Sequence, residues 1–247
     1  MEDYTPKVNQ AEFNVTYRCN LACVGCNRLA CLPPNTDDMT IEDGELFERQ
    51  AADRKWKPRM VLVGGEPTLH KDFFGFLDIA RRISNNRVTV WSNNYSPETK
   101  EILAKVRRDK LASLVPKSFK TRSVDHRHKR FYVAPADYGL PWYRCCEHAA
   151  GFMIYSKGLV GTGVSVDHGG YTVCARGGVI DSWLGLGVRT KNLDDLFNLE
   201  FAAKQTEELC KHCGCICRFN GMNLPTEKVL GIDMSPTWAK AIKSKIR

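Results

Sequence analysis

The 247-residue chain has no long apolar run, no internal repeat and no low-complexity tract. Its uninterrupted apolar stretches are a few residues long, far short of the roughly 20 that cross a bilayer, so no membrane span is expected. The opening MEDYTPKVNQ lacks a basic n-region and an apolar h-region, which argues against a secretory signal and for a cytoplasmic protein. In a reducing compartment clustered cysteines mean metal or redox chemistry more often than disulfides, and the count of 11 is odd. Acidic counterweight is also scarce in one place. From Lys105 to Arg130 ten Lys or Arg residues are opposed only by Asp109 and Asp125, a local excess equal to the net charge of +8 of the whole chain. That stretch is either a solvated face or a docking surface for an anionic substrate or acidic partner. It has no interleaved aromatics beyond Phe119 and Phe131, so a nucleic-acid stacking platform is not expected.

What is present reads as alternating strand and helix. Residues 12–17 (EFNVTY) have the period of a strand. Thr40, with Asp43 three residues on, opens a helix to about Asp53. RMVLVGGEP is an apolar run ended by two glycines and suits a buried parallel strand. KDFFGFLDIARRI is a helix with Phe73, Leu77 and Ala80 on one face and Phe76 and Ile83 near it. RVTVWS is a strand, and Ser96-Pro97 is an N-cap and first-turn pair for a helix to about Arg108. LASLV and RFYVAP are further short strands. This order predicts an α/β fold with a parallel sheet, open or part of a barrel. After about Gly139, GFMIYSKGLVGTGVSVDHGGYTVC reads as paired strands around glycine turns. NLDDLFNLEFAAKQTEELC reads as one amphipathic helix capped by Asn192, and SPTWAKAIKSKIR as a last basic helix.

The cysteines fall in three groups: Cys19, Cys23, Cys26 and Cys31; Cys145, Cys146 and Cys174; Cys210, Cys213, Cys215 and Cys217. The first three follow the first strand at spacings of four and three, with no fourth thiol in that rhythm. A structural zinc would want four ligands, whereas three thiolates can hold three irons of a cubane and leave the fourth open. Gly64-Gly65-Glu66-Pro67 ends the second strand, and Ser92-Asn93-Asn94 ends the third. Glycines there let backbone approach a ligand, and a carboxylate accepts from an ammonium group.

These motifs, in this order on successive strand ends, resemble those of radical S-adenosylmethionine (SAM) enzymes. The resemblance implies a partial (β/α) TIM-like barrel over residues 10–135, with a [4Fe-4S] cluster on Cys19, Cys23 and Cys26. It further implies SAM bound by Gly64, Gly65, Glu66, Pro67, Ser92, Asn93 and Asn94, and cleaved after one-electron reduction to a 5′-deoxyadenosyl radical. A reducing partner such as flavodoxin or ferredoxin is then expected. One departure is Gly25, which stands where the family carries an aromatic residue against adenine; Tyr17 or backbone would have to replace it.

Cys146 (or Cys145), Cys174, Cys210 and Cys213 resemble the ligand set of a twitch-like auxiliary domain, here over residues 140–220 as a β-hairpin plus helix. The likeness is greatest to the radical SAM dehydrogenases of aminoglycoside biosynthesis, and a full SPASM domain is a poorer match. Residues 221–247 would form the basic C-terminal helix. The same four thiols also suit a zinc ribbon. A second [4Fe-4S] cluster would favour oxidation, by dehydrogenation or cross-linking, of a small-molecule or peptide substrate, anionic if the basic stretch lines the opening. A redox-neutral reaction such as epimerisation would need a hydrogen-atom donor, with Cys31 and Cys145 the candidates. The remaining alternative is a non-catalytic iron–sulfur or zinc protein.

Overall fold

In the computed structural model the described residues are 10–21, 26, 28–30, 32, 37–115, 153–155, 158–160, 163–213, 227–230 and 232–246. Cys23, Cys31, Cys145, Cys146, Cys215, Cys217 and the RFYVAP strand lie outside them.

The first half follows the expected alternation: β1 (Gln10–Thr16), α1 (Ile41–Asp53), β2 (Arg59–Gly64), α2 (Phe73–Ser84), β3 (Val88–Trp91), α3 (Pro97–Arg108) and β4 (Ser113–Val115). The caps form as the sequence predicts. The Thr40 hydroxyl accepts from the Asp43 N–H while Asp43 accepts from the Thr40 N–H, and the Ser96 hydroxyl accepts from the Thr99 N–H. Asn85 ends α2 in the left-handed conformation, at φ 52°.

Beyond a short antiparallel pair, β5 (Met153–Tyr155) and β6 (Gly158–Val160), come β7 (Val164–Asp167) and β8 (Gly170–Thr172). Among the described residues the main sheet runs β4-β3-β2-β1-β7-β8. Strands β1 to β4 and β7 are parallel, and β8 is antiparallel to β7. The fold is therefore mixed α/β with a parallel-dominated sheet. The hairpin assigned from sequence to the C-terminal appendage adds to the free side of β1.

Alternation along these strands sorts side chains to two faces. Ala11, Phe13, Val15, Val164 and Val166 join the core under the helices. There Phe13 meets Phe47 of α1 and Phe76 of α2 edge to face, with centroids 5.6 and 6.0 Å apart. Such pairs contribute about 0.5–1.5 kcal/mol each beyond area burial. The opposite face carries Glu12, Asn14, Thr16, Ser165 and Asp167, all buried. Buried polar groups need partners, and several on this face pair with one another: Asn14 Nδ2 donates to Ser165 Oγ at 2.7 Å, Ser165 Oγ donates to Asp167 Oδ2 at 2.8 Å, and the Tyr17 hydroxyl donates to Asp167.

Two C-terminal details differ from expectation. A helix, α4 (Gly177–Leu184), follows Cys174 directly, although glycine pairs are poor helix formers. Packing explains them: a Cβ on Gly178 would lie 2.0 Å from Asp167 Oδ2, and one on Gly177 would lie 2.5 Å from Thr172 Oγ1. The helix expected from Asn192 is instead a 3-10 turn, Leu193–Phe197, followed by α5 (Leu199–Cys210). Asn198 is a second N-cap, accepting from the Glu200 and Phe201 N–H groups, and it resets the helix start. A short hairpin, β9 (Glu227–Val229) and β10 (Ile232–Met234), leads to α6 (Pro236–Lys245). The fully buried Trp238 of α6 donates its indole N–H to the His212 carbonyl at 3.0 Å, beside Cys213. Among the described residues no helix is long and apolar enough to cross a membrane.

Candidate iron–sulfur and SAM site

The C-terminal ends of β1, β2 and β3 converge on the first cysteine group. Past β1, the Gly65 N–H donates to Thr16 O at 2.7 Å and the Glu66 N–H to Arg18 O at 2.9 Å, so the end of β2 grips the segment entering Cys19. Only glycine permits this approach. A Cβ on either Gly64 or Gly65 would sit 2.1 Å from the Thr16 or the Arg18 carbonyl oxygen respectively, and Gly64 is at φ +143°. The two glycines thus admit the chain's own cysteine loop. Asp38 secures the same segment, accepting from Thr16 Oγ1 at 2.5 Å and from Arg18 Nε at 3.1 Å.

Glu66 is fully buried behind this loop. Its carboxylate accepts from Thr68 Oγ1 at 2.8 Å, Thr68 N at 3.2 Å, Ser92 Oγ at 2.9 Å and Asn93 N at 2.7 Å. Burial pushes its pKa up, and the donors from Asn93, Thr68 and Ser92 oppose that rise. With donors from both strand ends on one carboxylate, Glu66 acts as the knot that ties the ends of β2 and β3 together. Asn93 continues outward from this knot: its side-chain amide donates to Asn20 Oδ1 at 2.7 Å and lies 3.6 Å from Cys19 Sγ. Asn94 sits at φ 52° with its N–H on Ser92 Oγ at 3.0 Å. Trp91 and Tyr95, exposed by 39% and 48%, flank the Ser92–Asn94 turn.

Burial pushes the Cys19 thiol up to about 11, with the charges of Cys26 and Glu66 adding to the rise. A thiol so placed ionises readily only when a metal takes the proton's place. After Cys26 the chain turns sharply, Leu29 N–H donating to Cys26 O at 3.2 Å, and Leu29 anchors in the core. Between them Arg28, only 5% exposed, donates from one nitrogen to Glu12 of β1 and from another to the Ala175 carbonyl. Tyr17, the aromatic expected to replace the one missing at Gly25, is turned inward to Asp167 and is 6% exposed. Arg28, Thr68 and Asn20 were not singled out from sequence. They stand within two residues of motif positions, which is the one local signal they carry.

The later cysteines follow β8 and close α5. Cys174 follows β8, and its carbonyl accepts from the Gly177 N–H at 2.8 Å. Leu209, next to Cys210, lies against Gly177. Gln205 of α5 accepts from the Val173 N–H at 2.7 Å, so the Cys174 turn and the helix carrying Cys210 are packed together. The Cys213 N–H donates to the Cys210 carbonyl at 3.2 Å in the turn that closes α5. Among the described residues no three His, Cys, Asp or Glu side chains are gathered as a metal-binding group. Each group has one expected ligand, Cys23 or Cys146, outside those residues, as are the candidate hydrogen donors Cys31 and Cys145.

The basic stretch is described only to residue 115. Lys105, Arg107, Arg108 and Lys110 sit at the C-terminal end of α3, away from the thiols, where cations complement the helix dipole. Arg107 and Lys110 line a cavity of about 760 Å³ with Arg59 and Arg87, at the opposite end of the sheet from Cys19.

A parallel-dominated α/β sheet whose strand ends hold thiols against a buried carboxylate and a glycine cradle defines a metal- or cofactor-binding class of protein. Residues 13–131 match the model of the Radical SAM superfamily, a kind of domain that implies a [4Fe-4S] cluster and SAM. The residues fit that group: Cys19, just past β1, and Cys26, close enough to raise its pKa, offer thiols, and Gly64 and Gly65 admit the backbone of the loop that carries Cys19. Among solved structures the chain is similar to BtrN in complex with AdoMet and 2-DOIA, at 14% identity and a TM-score of 0.50, covering 85% of this chain and 94% of that one. It is also similar to BtrN in an open conformation, at 14% identity and a TM-score of 0.49, covering 83% and 92%. No curated protein matches the sequence.

Proposed function

We propose that this protein is a radical SAM oxidoreductase. The observation that carries the reading is the junction of three strand ends at Cys19: the Gly64-Gly65 cradle, the Glu66 knot and the Asn93 amide meet there inside a radical SAM domain. Cys19, Cys23 and Cys26 would hold the first cluster. Gly64, Gly65, Glu66, Pro67, Ser92, Asn93 and Asn94 would form the SAM site, with Glu66 also setting Ser92 and Asn93. When bound and reduced, the cluster and SAM supply a 5′-deoxyadenosyl radical that removes a substrate hydrogen atom. The protein orients the substrate and excludes water.

The packing of Cys174 against the helix that ends in Cys210 supports a second cluster on Cys146, Cys174, Cys210 and Cys213, within a twitch-like unit of residues 140–220. A substrate that gives up a hydrogen atom, then one electron to that site and one proton, is oxidised by two electrons in total. Fold likeness to a protein crystallised with AdoMet and a small molecule favours a small-molecule substrate over a peptide. The described part of the basic stretch lies far from the thiols, so it lends no support to an anionic substrate. The chemistry calls for a one-electron reductant, such as a flavodoxin or ferredoxin.

The test is anaerobic reconstitution with iron and sulfide, iron counting, and assay of 5′-deoxyadenosine after dithionite and SAM. About eight irons, falling to about four with loss of 5′-deoxyadenosine in a Cys19/Cys23/Cys26→Ala variant, is the expected result for two four-iron clusters. About four irons with zinc bound would make the second site structural and the chemistry redox-neutral. An intact cluster without SAM cleavage would refute the enzyme reading.

A further inference from the structure

We infer that Asn93 is a positioning residue that sets the reduction potential of the iron–sulfur cluster through a hydrogen bond to Cys19 Sγ. This assignment rests on the reading of Cys19 as a cluster ligand. The Asn93 side chain is committed on every side. Its Oδ1 accepts from the Tyr95 N–H at 2.9 Å, and its Nδ2 donates to Asn20 Oδ1 at 2.7 Å and reaches Cys19 Sγ at 3.6 Å. These contacts fix the amide's orientation. Flipping it would set a donor against the Tyr95 N–H and an oxygen against Asn20 Oδ1, so the nitrogen must face the sulfur. The backbone is held equally firmly, because the Asn93 N–H donates to the buried Glu66 at 2.7 Å. The whole Cys19–Asn93–Glu66 chain is therefore pre-set, with a partial positive charge aimed at one thiolate.

Donors to cluster sulfurs and to their ligands are a principal means by which proteins tune such potentials. A thiolate carries more negative charge when the cluster gains an electron, so an N–H directed at it stabilises the reduced state and raises the potential. The half-buried setting of Cys19 keeps solvent from screening the effect. The Leu21 backbone also hydrogen-bonds Cys19, so Asn93 supplies the side-chain part of the effect, the part that substitution can remove.

The test is a potentiometric titration of the reconstituted protein, read by the electron paramagnetic resonance signal of the reduced cluster, on wild type, Asn93→Ala, Asn93→Asp and Asn20→Ala. Asn93→Ala is expected to lower the ratio of reduced to oxidised cluster at a fixed potential by about threefold to tenfold, tenfold being about 59 mV for one electron. Asn93→Asp keeps the shape but sets an acceptor against the thiolate, and it should lower the ratio further. Asn20→Ala removes the amide's other partner and leaves the contact to sulfur, so its potential should match wild type. Wild-type potentials in both Asn93 variants, or an equal shift in Asn20→Ala, would overturn the assignment. So would loss of the cluster from both Asn93 variants with the apo fold intact by circular dichroism, since Asn93 would then govern retention and not potential. A Cys19→Ala variant that loads iron like wild type with an unchanged signal would instead overturn the reading of Cys19 as a ligand.

Discussion

Among the described residues Arg28 joins the first cysteine loop to the Cys174 turn, and removing it gives a sharp test of how the two are held. Its guanidinium and the Glu12 carboxylate are each 5% exposed, and its second arm carries the Ala175 carbonyl. Replacing Arg28 with Met leaves Glu12 charged and buried, with Gln10 Nε2, at 3.1 Å, as its remaining partner among the described residues. Unpairing a buried charge in this way costs about 3–5 kcal/mol. The stranded Ala175 carbonyl adds about 1–3 kcal/mol. Set against the 5–15 kcal/mol that typically holds a domain together, such a loss is a large share. The double variant Arg28→Met with Glu12→Met removes both charges and should recover most of the pair's share, because apolar replacement of a buried ion pair is often neutral. The assay is urea unfolding of the reduced apo protein under anaerobic conditions, comparing midpoints at constant m. Hydrogen exchange at residues 173–178 should rise in Arg28→Met, since the Ala175 carbonyl is no longer held. A loss under about 1 kcal/mol for Arg28→Met, or a double variant no better than the single, would show that the strap does not hold the two segments together.

Two further outcomes follow from the same frame. Gly65→Ala should cost about 2–3 kcal/mol or more and most of the first-site iron, because the new Cβ meets the Arg18 carbonyl at 2.1 Å and that oxygen belongs to backbone with nowhere to go; unchanged iron content would refute the cradle. Asp167 has a carboxyl pushed up by burial, against hydrogen bonds from Tyr17 and Ser165 and the pull of Arg189 and Arg28. The folded state therefore holds its proton more tightly than the unfolded one, so its penalty is absent below the ordinary carboxylate range and sets in as pH rises through it to the folded value. The stability of Asp167→Asn relative to wild type should accordingly climb over that window and level off above it, and a flat difference in melting temperature against pH would contradict this.

Much of the first half was legible along the chain because its signals are local. The Thr40 and Ser96 caps, the helical period around Phe76 and Ile83, and the apolar run into Gly64 are each written within a few residues of where they act. The cysteine rhythm and the Gly64–Pro67 motif pointed to the correct strand ends for the same reason. Local signals also mislead when two compete, as Asn192 and Asn198 do for the start of α5. The partnerships that complete the site span far greater distances. Asn14 meets Ser165 across 151 positions, Arg28 meets the Ala175 carbonyl across 147, and Asn93 meets Cys19 across 74. Nothing near Val164 says that its strand will lie parallel to β1, and nothing near Asn93 says that its amide will turn to sulfur. Spacing and propensity are properties of neighbouring residues, whereas complementarity between a donor and a buried acceptor exists only once distant strands have paired and excluded water between them.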